Sequence, residues 1–357
     1  MKYSVDDIRR FSARQGNYSH QHRRAFTRAV AAMAFAGSRG SAAQEVLKGL
    51  WRDDDQAGLI LRAVSDPLET SGFPAIQTNV VLPMLAPAAA STKLLGMGAQ
   101  LNLEGIATVR LPYVGSAGRP ASPAFVGEGA PAPAVNLLTT GAILGPACKI
   151  LILSGISAEL QAASAETAEE IVSQALAISC EKAIDAALFG DAPATAIQPA
   201  GLLHGITPLT STGETGPPGM ADDLGLLAEA IGANGINADD LVFIATPMLA
   251  TKIRVLAGPK FQDAVLSSAM LSVGTVIGIV PRGLAVGYAG AVEIETSNAA
   301  AIHFEDSTPL PIVDSSGALA VPTSSAFQQN LIILKIRARC AWCVQPGAVA
   351  VVEGADW

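Results

Sequence analysis

Charge and aromatic side chains are scarce in this sequence. Only 15% of its 357 residues are Asp, Glu, Lys or Arg and 5% are Phe, Trp or Tyr, while half are hydrophobic, mostly small aliphatics. So little charge excludes a highly charged disordered chain, and 34 Gly with 22 Pro describe a globular protein with many turns. No apolar stretch reaches the roughly 18 residues of a membrane span. The run from Ala29 to Ala36 stops at Gly37. The segment from Met1 to Arg28 is polar and mixed in charge, so no secretory signal is expected, and synthesis is expected in the cytoplasm. The length suggests two or three lobes. The positive mean hydropathy leaves apolar surface that other subunits are expected to cover.

Residues for metal or covalent chemistry are also few. There are four cysteines (Cys148, Cys180, Cys340, Cys343) and four histidines at 20, 22, 204 and 303. Only Cys340 and Cys343 have the spacing of a redox or zinc motif. They fall in the apolar run Leu331 to Val344, which reads as a strand, and three residues along a strand reverses the face, so their sulfurs diverge. Buried reduced thiols are expected, with no metal and no cofactor. His204 and His303 sit singly among apolar residues and read as structural. The chain has no GxxxxGK[ST] phosphate loop, no GxSxG elbow and no HExxH helix. The glycine pairs at 96–98 and 127–129 lack the third glycine of a dinucleotide turn. No enzymatic activity is expected.

The charge that is present is unevenly placed. Residues 1–40 hold eight basic and two acidic side chains, a net +6, which leaves the remainder at −14. Within this arm Arg23, Arg24 and Arg28 cluster. Such a group gains from phosphate neutralisation regardless of nucleic-acid sequence, and no aromatic interleaving points to base stacking. A helix pair that binds a scaffold or shell surface accounts for it equally well.

Helical spacing continues through the first 65 residues. Phe26, Val30, Met33 and Ala34 recur on one stripe, and Val46, Leu47, Leu50 and Trp51 on another. From Pro67 to Pro87 the pattern turns extended and Pro-punctuated. Residues 100–135 read as a long hairpin: Arg110 faces away from Val109 and Leu111, and the tip from Gly115 to Pro123 is rich in Gly, Ser and Pro. Arg110, Arg119 and Glu128 are the charges of this otherwise neutral arm, placed to pair across subunits rather than only to meet solvent. A hairpin with so few large apolar residues does not stand alone in water.

Lys149 to Ser154 reads as a strand, and Ser164 to Phe189 as a helix of about 37 Å ended by Gly190. Beyond it lies a mixed α+β lobe. Asp222 to Ala233 and Pro247 to Leu256 are expected as helices, the second opened by Thr246 and Pro247. Strands are expected at Leu241–Ala245, Val273–Val280, Leu284–Tyr288, Val292–Thr296 and Ala301–Phe304. Gln328 to Val352 returns to extended alternation.

This order, together with three local segments, resembles the Hong Kong 97-like capsid family of tailed bacteriophages. Phe125-Val126-Gly127-Glu128-Gly129-Ala130-Pro131 is similar to the end of that family's extended E-loop. Gln198-Pro199-Ala200-Gly201-Leu202-Leu203 resembles its way into the axial domain. Phe327-Gln328-Gln329-Asn330-Leu331-Ile332, followed by Pro346-Gly347-Ala348-Val349-Ala350, resembles its carboxy-terminal signature. The resemblance covers about residues 70 to 352. It implies a basic helical amino-terminal arm (1–70), a lead-in to the peripheral domain (71–99) and an E-loop (100–135). A peripheral domain with a spine helix (136–197), an axial domain (198–324) and a return to the peripheral domain (325–357) follow.

What the resemblance implies is a major capsid protein of a phage or prophage head. Such a chain assembles with itself into pentamers and hexamers of an icosahedral virion shell, in the bacterial host cytoplasm. Its partners would be a separate scaffolding protein, the portal and head-completion proteins, and packaged double-stranded DNA, with no membrane. The stretch 100–135 has no lysine, so the isopeptide cross-linking of the family's founding member is not implied. An encapsulin-like compartment shell is the alternative, disfavoured by the basic arm.

Overall fold

The computed structural model describes residues 25, 28–29, 32–33, 36, 42–52, 54–55, 57–58, 61, 86, 88–114, 139–157, 178, 180–258, 261, 263–290, 293–302 and 324–357. In chain order its elements begin with helices α1 (Ala43–Leu50) and α2 (Ala90–Met97), then strands β1 (Ala99–Asn102), β2 (Val109–Val114), β3 (Thr139–Leu144) and β4 (Cys148–Ser157). Residues 178 and 180–188 are helical (α3), and residues 164–177 and 179 of the expected Ser164–Phe189 helix lie outside the described residues. Next come β5 (Leu209–Thr210), α4 (Gly216–Gly232), β6 (Val242–Ala245), α5 (Pro247–Leu256), β7 (Ala264–Ser267), β8 (Val276–Ile279) and β9 (Leu284–Tyr288). The last strands are β10 (Glu293–Ser297), β11 (Ala301–Ile302), β12 (Ser324–Ser325), β13 (Leu331–Val344) and β14 (Val349–Glu353). The chain forms two compact units, one of Met1–Leu85, Ile150–Cys180 and Ala291–Ala338, the other of Ala86–Lys149, Glu181–Gly290 and Arg339–Trp357.

The second unit contains a mixed sheet in the order β5-β14-β8-β6-β7. Strand β6 reads Val-Phe-Ile-Ala with every side chain buried, the continuous apolar run of a strand covered on both faces. On one face Phe243 and Ala245 meet Leu224, Leu227 and Ile231 of α4 and Leu249, Ala250 and Ile253 of α5. Complete burial of each such Leu or Ile contributes about 1.5–3 kcal/mol. Gly278 of β8 permits this packing, because a Cβ there would stand 3.2 Å from Leu227 Cβ. Helix α5 has the expected bounds. Its start is set by Thr246 in extended geometry and by Pro247, although no side-chain cap bond forms. Helix α4 starts six residues before the expected Asp222, because Pro217 and Pro218 fill first-turn positions that have no use for an N–H.

A smaller core lies under the pairing of β1, β9 and the end of β13. Strand β1 runs parallel to β9, Ala99 opposite Ala285, and residues 340–344 of β13 run antiparallel to it. Leu103, Leu144, Ala285 and Ala341 form the centre, with Val109 and Leu111 packed against them. The carboxy-terminal segment is thus divided: β13 belongs to this sheet, while β14 pairs with β8 and β5 in the helix-covered one.

In the first unit, Ala25, Ala29, Ala32 and Ala36 are helical and buried, a stripe at helical spacing. Phe26, Val30 and Ala34 lie outside the described residues. Val46, Leu47 and Trp51 are buried as expected, whereas Leu50 is exposed, since α1 buries too narrow a stripe to include it. Strand β10 pairs antiparallel with β13, setting Glu293 opposite Arg337 and Glu295 opposite Lys335, and both pairs form ion pairs.

Candidate assembly surface

Strand alternation decides where Arg110 points. Val109 and Leu111 turn into the small core, and Arg110 between them is exposed. Its strand pairs with β3, placing Arg110 opposite Ile143 and Leu111 opposite Ala142. The return strand therefore lies at Thr139–Leu144, past residue 135. Diagonal to Arg110 is Gly141, where a Cβ would stand 2.6 Å from Arg110 Cγ. The absent side chain gives the arginine stem its course across the ribbon. Arg119 and Glu128 fall outside the described residues.

Arg28 is already engaged within the chain. Its guanidinium donates to Asp54 at 2.8 Å and lies 5.8 Å from the ring centroid of Trp51. This joins the helical residues around Arg28 to the segment after α1. Arg23 and Arg24 fall outside the described residues.

Two buried carboxylates that sequence reading passed over organise the second unit. Asp185 of α3 accepts the backbone N–H (2.9 Å) and hydroxyl (2.5 Å) of Ser91 through one oxygen, and the Ser268 hydroxyl (2.6 Å) through the other. It thereby satisfies a first-turn N–H of α2, where the helix dipole favours negative charge. Asp223 of α4 accepts the Ser211 hydroxyl at 2.7 Å, the Thr212 N–H at 2.9 Å and hydroxyl at 3.1 Å, and the Trp357 indole N–H at 2.8 Å. Burial works against its charge, but these hydrogen bonds outweigh it and hold the carboxyl below its usual range. The one sequence signal for either was an Asp at a position that helical spacing assigns to the apolar face.

A cleft of about 540 Å³ opens in the same unit, lined by Ile143, Pro146, Pro199, Trp342, Val344 and Pro346 among others. The Trp342 indole N–H donates to the Ala200 carbonyl at its wall, and His204 Nδ1 sits 3.1 Å from the Asp191 carbonyl oxygen. All four cysteines are free thiols. Burial pushes Cys340 up to about 12, with Cys148 nearby adding to the shift, and pushes Cys343 up to about 11, so neither is a thiolate near neutrality. Among the described residues no group of three His, Cys, Asp or Glu side chains is placed to hold a metal, and no helix is long and apolar enough to cross a membrane.

Large apolar side chains also lie open. Ile197 is 81% exposed, Val255 72%, Val273 90% and Phe327 79%, and Ile143, Met248 and Met270 are exposed as well. Such residues are ordinary singly, and only where several adjoin do they indicate contacts with other molecules.

No protein-family model matches the chain, and no curated protein matches it. Solved structures do. A chain of Mycobacterium phage Bobi is 17% identical over 84% of this chain and 99% of its own, with a TM-score of 0.48. The capsid of an empty GTA particle is 12% identical over 82% and 95%, also at 0.48. A chain of Microbacterium phage Oxtober96 is 14% identical over 82% of this chain and 98% of its own, with a TM-score of 0.51. This chain has the mixed helix-and-sheet fold of the Oxtober96 protein, matched along almost all of that protein's length.

Proposed function

We propose that the chain is a major capsid protein of the Hong Kong 97-like kind, which assembles through itself into pentamers and hexamers of a phage or prophage head around double-stranded DNA. The observation that carries this reading is the fold shared with a phage protein over 98% of that protein's chain. The three capsid-like segments in matching order and the exposed apolar side chains add to it. In this reading the role is structural and non-catalytic. The hairpin β2–β3 reaches a neighbouring subunit, and the basic arm meets scaffold or DNA. Portal, scaffolding and head-completion proteins are the remaining partners.

Negative-stain microscopy of the purified full chain tests the proposal directly. Capsomers or closed shells are expected, and a homogeneous monomer at high concentration in several buffers would overturn it. Shells that recruit a cellular enzyme and no DNA would replace the viral reading by an encapsulin-like one.

A further inference from the structure

Helix α5 turns Leu249, Ala250 and Ile253 into the core of the second unit and leaves an apolar line on its other side. Met248, 50% exposed, and Val255, 72% exposed, stand seven residues apart, hence on one line about 10 Å long. Thr251 and Lys252 lie between them. The helix carries two basic residues, Lys252 and Arg254, and no acidic one. Arg254 is partly committed to the Val265 carbonyl at 2.8 Å.

The outer face of α4 is the complement. Asp222 and Glu229 are exposed, also seven residues apart, and the helix has no basic residue. Gly225 between them has open space where a Cβ would stand. Lys252, Asp222 and Glu229 have no ion-pair partner among the described residues. Within one chain the two helices lie side by side on the same sheet, α4 over β14 and β8 and α5 over β6 and β7, and no ion pair joins Lys252 to Asp222 or Glu229.

We propose that the Met248–Lys252–Val255 face of α5 docks on the Asp222–Glu229 face of α4 in a second copy of this chain. The inference rests on the shell reading above and names one of its subunit contacts. Two α5 faces brought together would oppose like charges, whereas α5 on α4 matches basic with acidic groups and apolar side chains with open backbone. The contact joins different patches of identical chains. It is therefore heterologous and repeats head to tail, closing a ring where the rotation between copies allows it and giving an open filament otherwise.

The test uses the full chain with Val255→Asp, Lys252→Glu, Glu229→Lys and the double variant Lys252→Glu/Glu229→Lys. None of these side chains is buried, so thermal melting should match the parent. Sedimentation velocity should show each single variant associating at least ~10-fold more weakly, and the double variant within about 3-fold of the parent. Singles that assemble like the parent overturn the contact and leave the shell reading standing. Loss in Val255→Asp and Lys252→Glu with none in Glu229→Lys overturns the α4 assignment. A parent chain that stays monomeric overturns both readings, while open filaments in place of capsomers or shells, broken by the singles, keep the contact and overturn the shell.

Discussion

Asp223 receives the indole N–H of Trp357 at 2.8 Å, a hydrogen bond between residues 134 positions apart. Through the same carboxylate the turn after β5, the body of α4 and the residue at 357 are held together. Replacing Asp223 by Ala leaves the buried Trp357 N–H without its acceptor, along with the half-buried Ser211 hydroxyl and the N–H of the exposed Thr212. The expected cost is about 2–3 kcal/mol, most of it from the Trp357 N–H, since only a buried donor loses its full desolvation. Chemical denaturation followed by tryptophan fluorescence measures it. A loss under about 1 kcal/mol would mean that water replaces the carboxylate.

The same group sets an acid limit. Its carboxyl is held below the usual 3.8 in the folded chain, so the unfolded chain binds the proton first as pH falls. The stabilisation is fully present above about pH 4 and disappears as pH drops through the folded value. Asp263 acts in the opposite direction: burial raises its pKa, so its protonation favours the folded state slightly above that range. Melting temperature followed from pH 6 to pH 2 should fall in the parent below pH 4. In Asp223→Asn it should start lower and decline less steeply over this window. Parallel curves would assign the acid sensitivity elsewhere.

The three clustered arginines of the arm divide into two kinds. Arg28 is bound to Asp54 and lies over Trp51, with its side chain largely covered, so Arg28→Ala should destabilise the surrounding helices by about 1–2 kcal/mol. Hydrogen exchange over residues 43–58 reports this as faster exchange. The pair Arg23→Gln/Arg24→Gln should instead weaken assembly or DNA content and flatten their salt dependence. Unchanged particles with unchanged salt response would remove the electrostatic role.

For the hairpin, stability and assembly should separate. Arg110 is exposed while Val109 and Leu111 are packed on Leu103 and Leu144. Arg110→Glu should therefore change stability by less than about 0.5 kcal/mol and still reduce particle yield, whereas Leu111→Ala should lower both. Shortening the tip between Gly115 and Pro123 should also spare folding and impair shells. Calorimetry beside particle counting distinguishes these. Normal shells from Arg110→Glu and from the shortened chain would show that the hairpin is no assembly arm.

Legibility in the sequence followed the range of the forces involved. The bounds of α5 and β9 were readable because their signals are local: Thr246 and Pro247 at a helix start, and an unbroken apolar run from Leu284 to Tyr288. So was the exposure of Arg110 between two inward neighbours, since alternation is a property of one strand. Pairing across long separations left no such mark. Nothing in residues 99–102 names 285–288 as a parallel partner, and nothing in 331–353 announces that β13 and β14 join different sheets. Both depend on which apolar faces meet once the helices are seated. Asp185 and Asp223 show the same limit, because a carboxylate on an apolar helix face is tolerable only when distant donors arrive: Ser91 and Ser268 for one, Ser211, Thr212 and Trp357 for the other. The sequence by itself determined the local elements and the basic arm. The tertiary structure decided which strands pair, which carboxylates are buried, and which helix faces remain open, because these depend on contacts whose partners local periodicity does not encode.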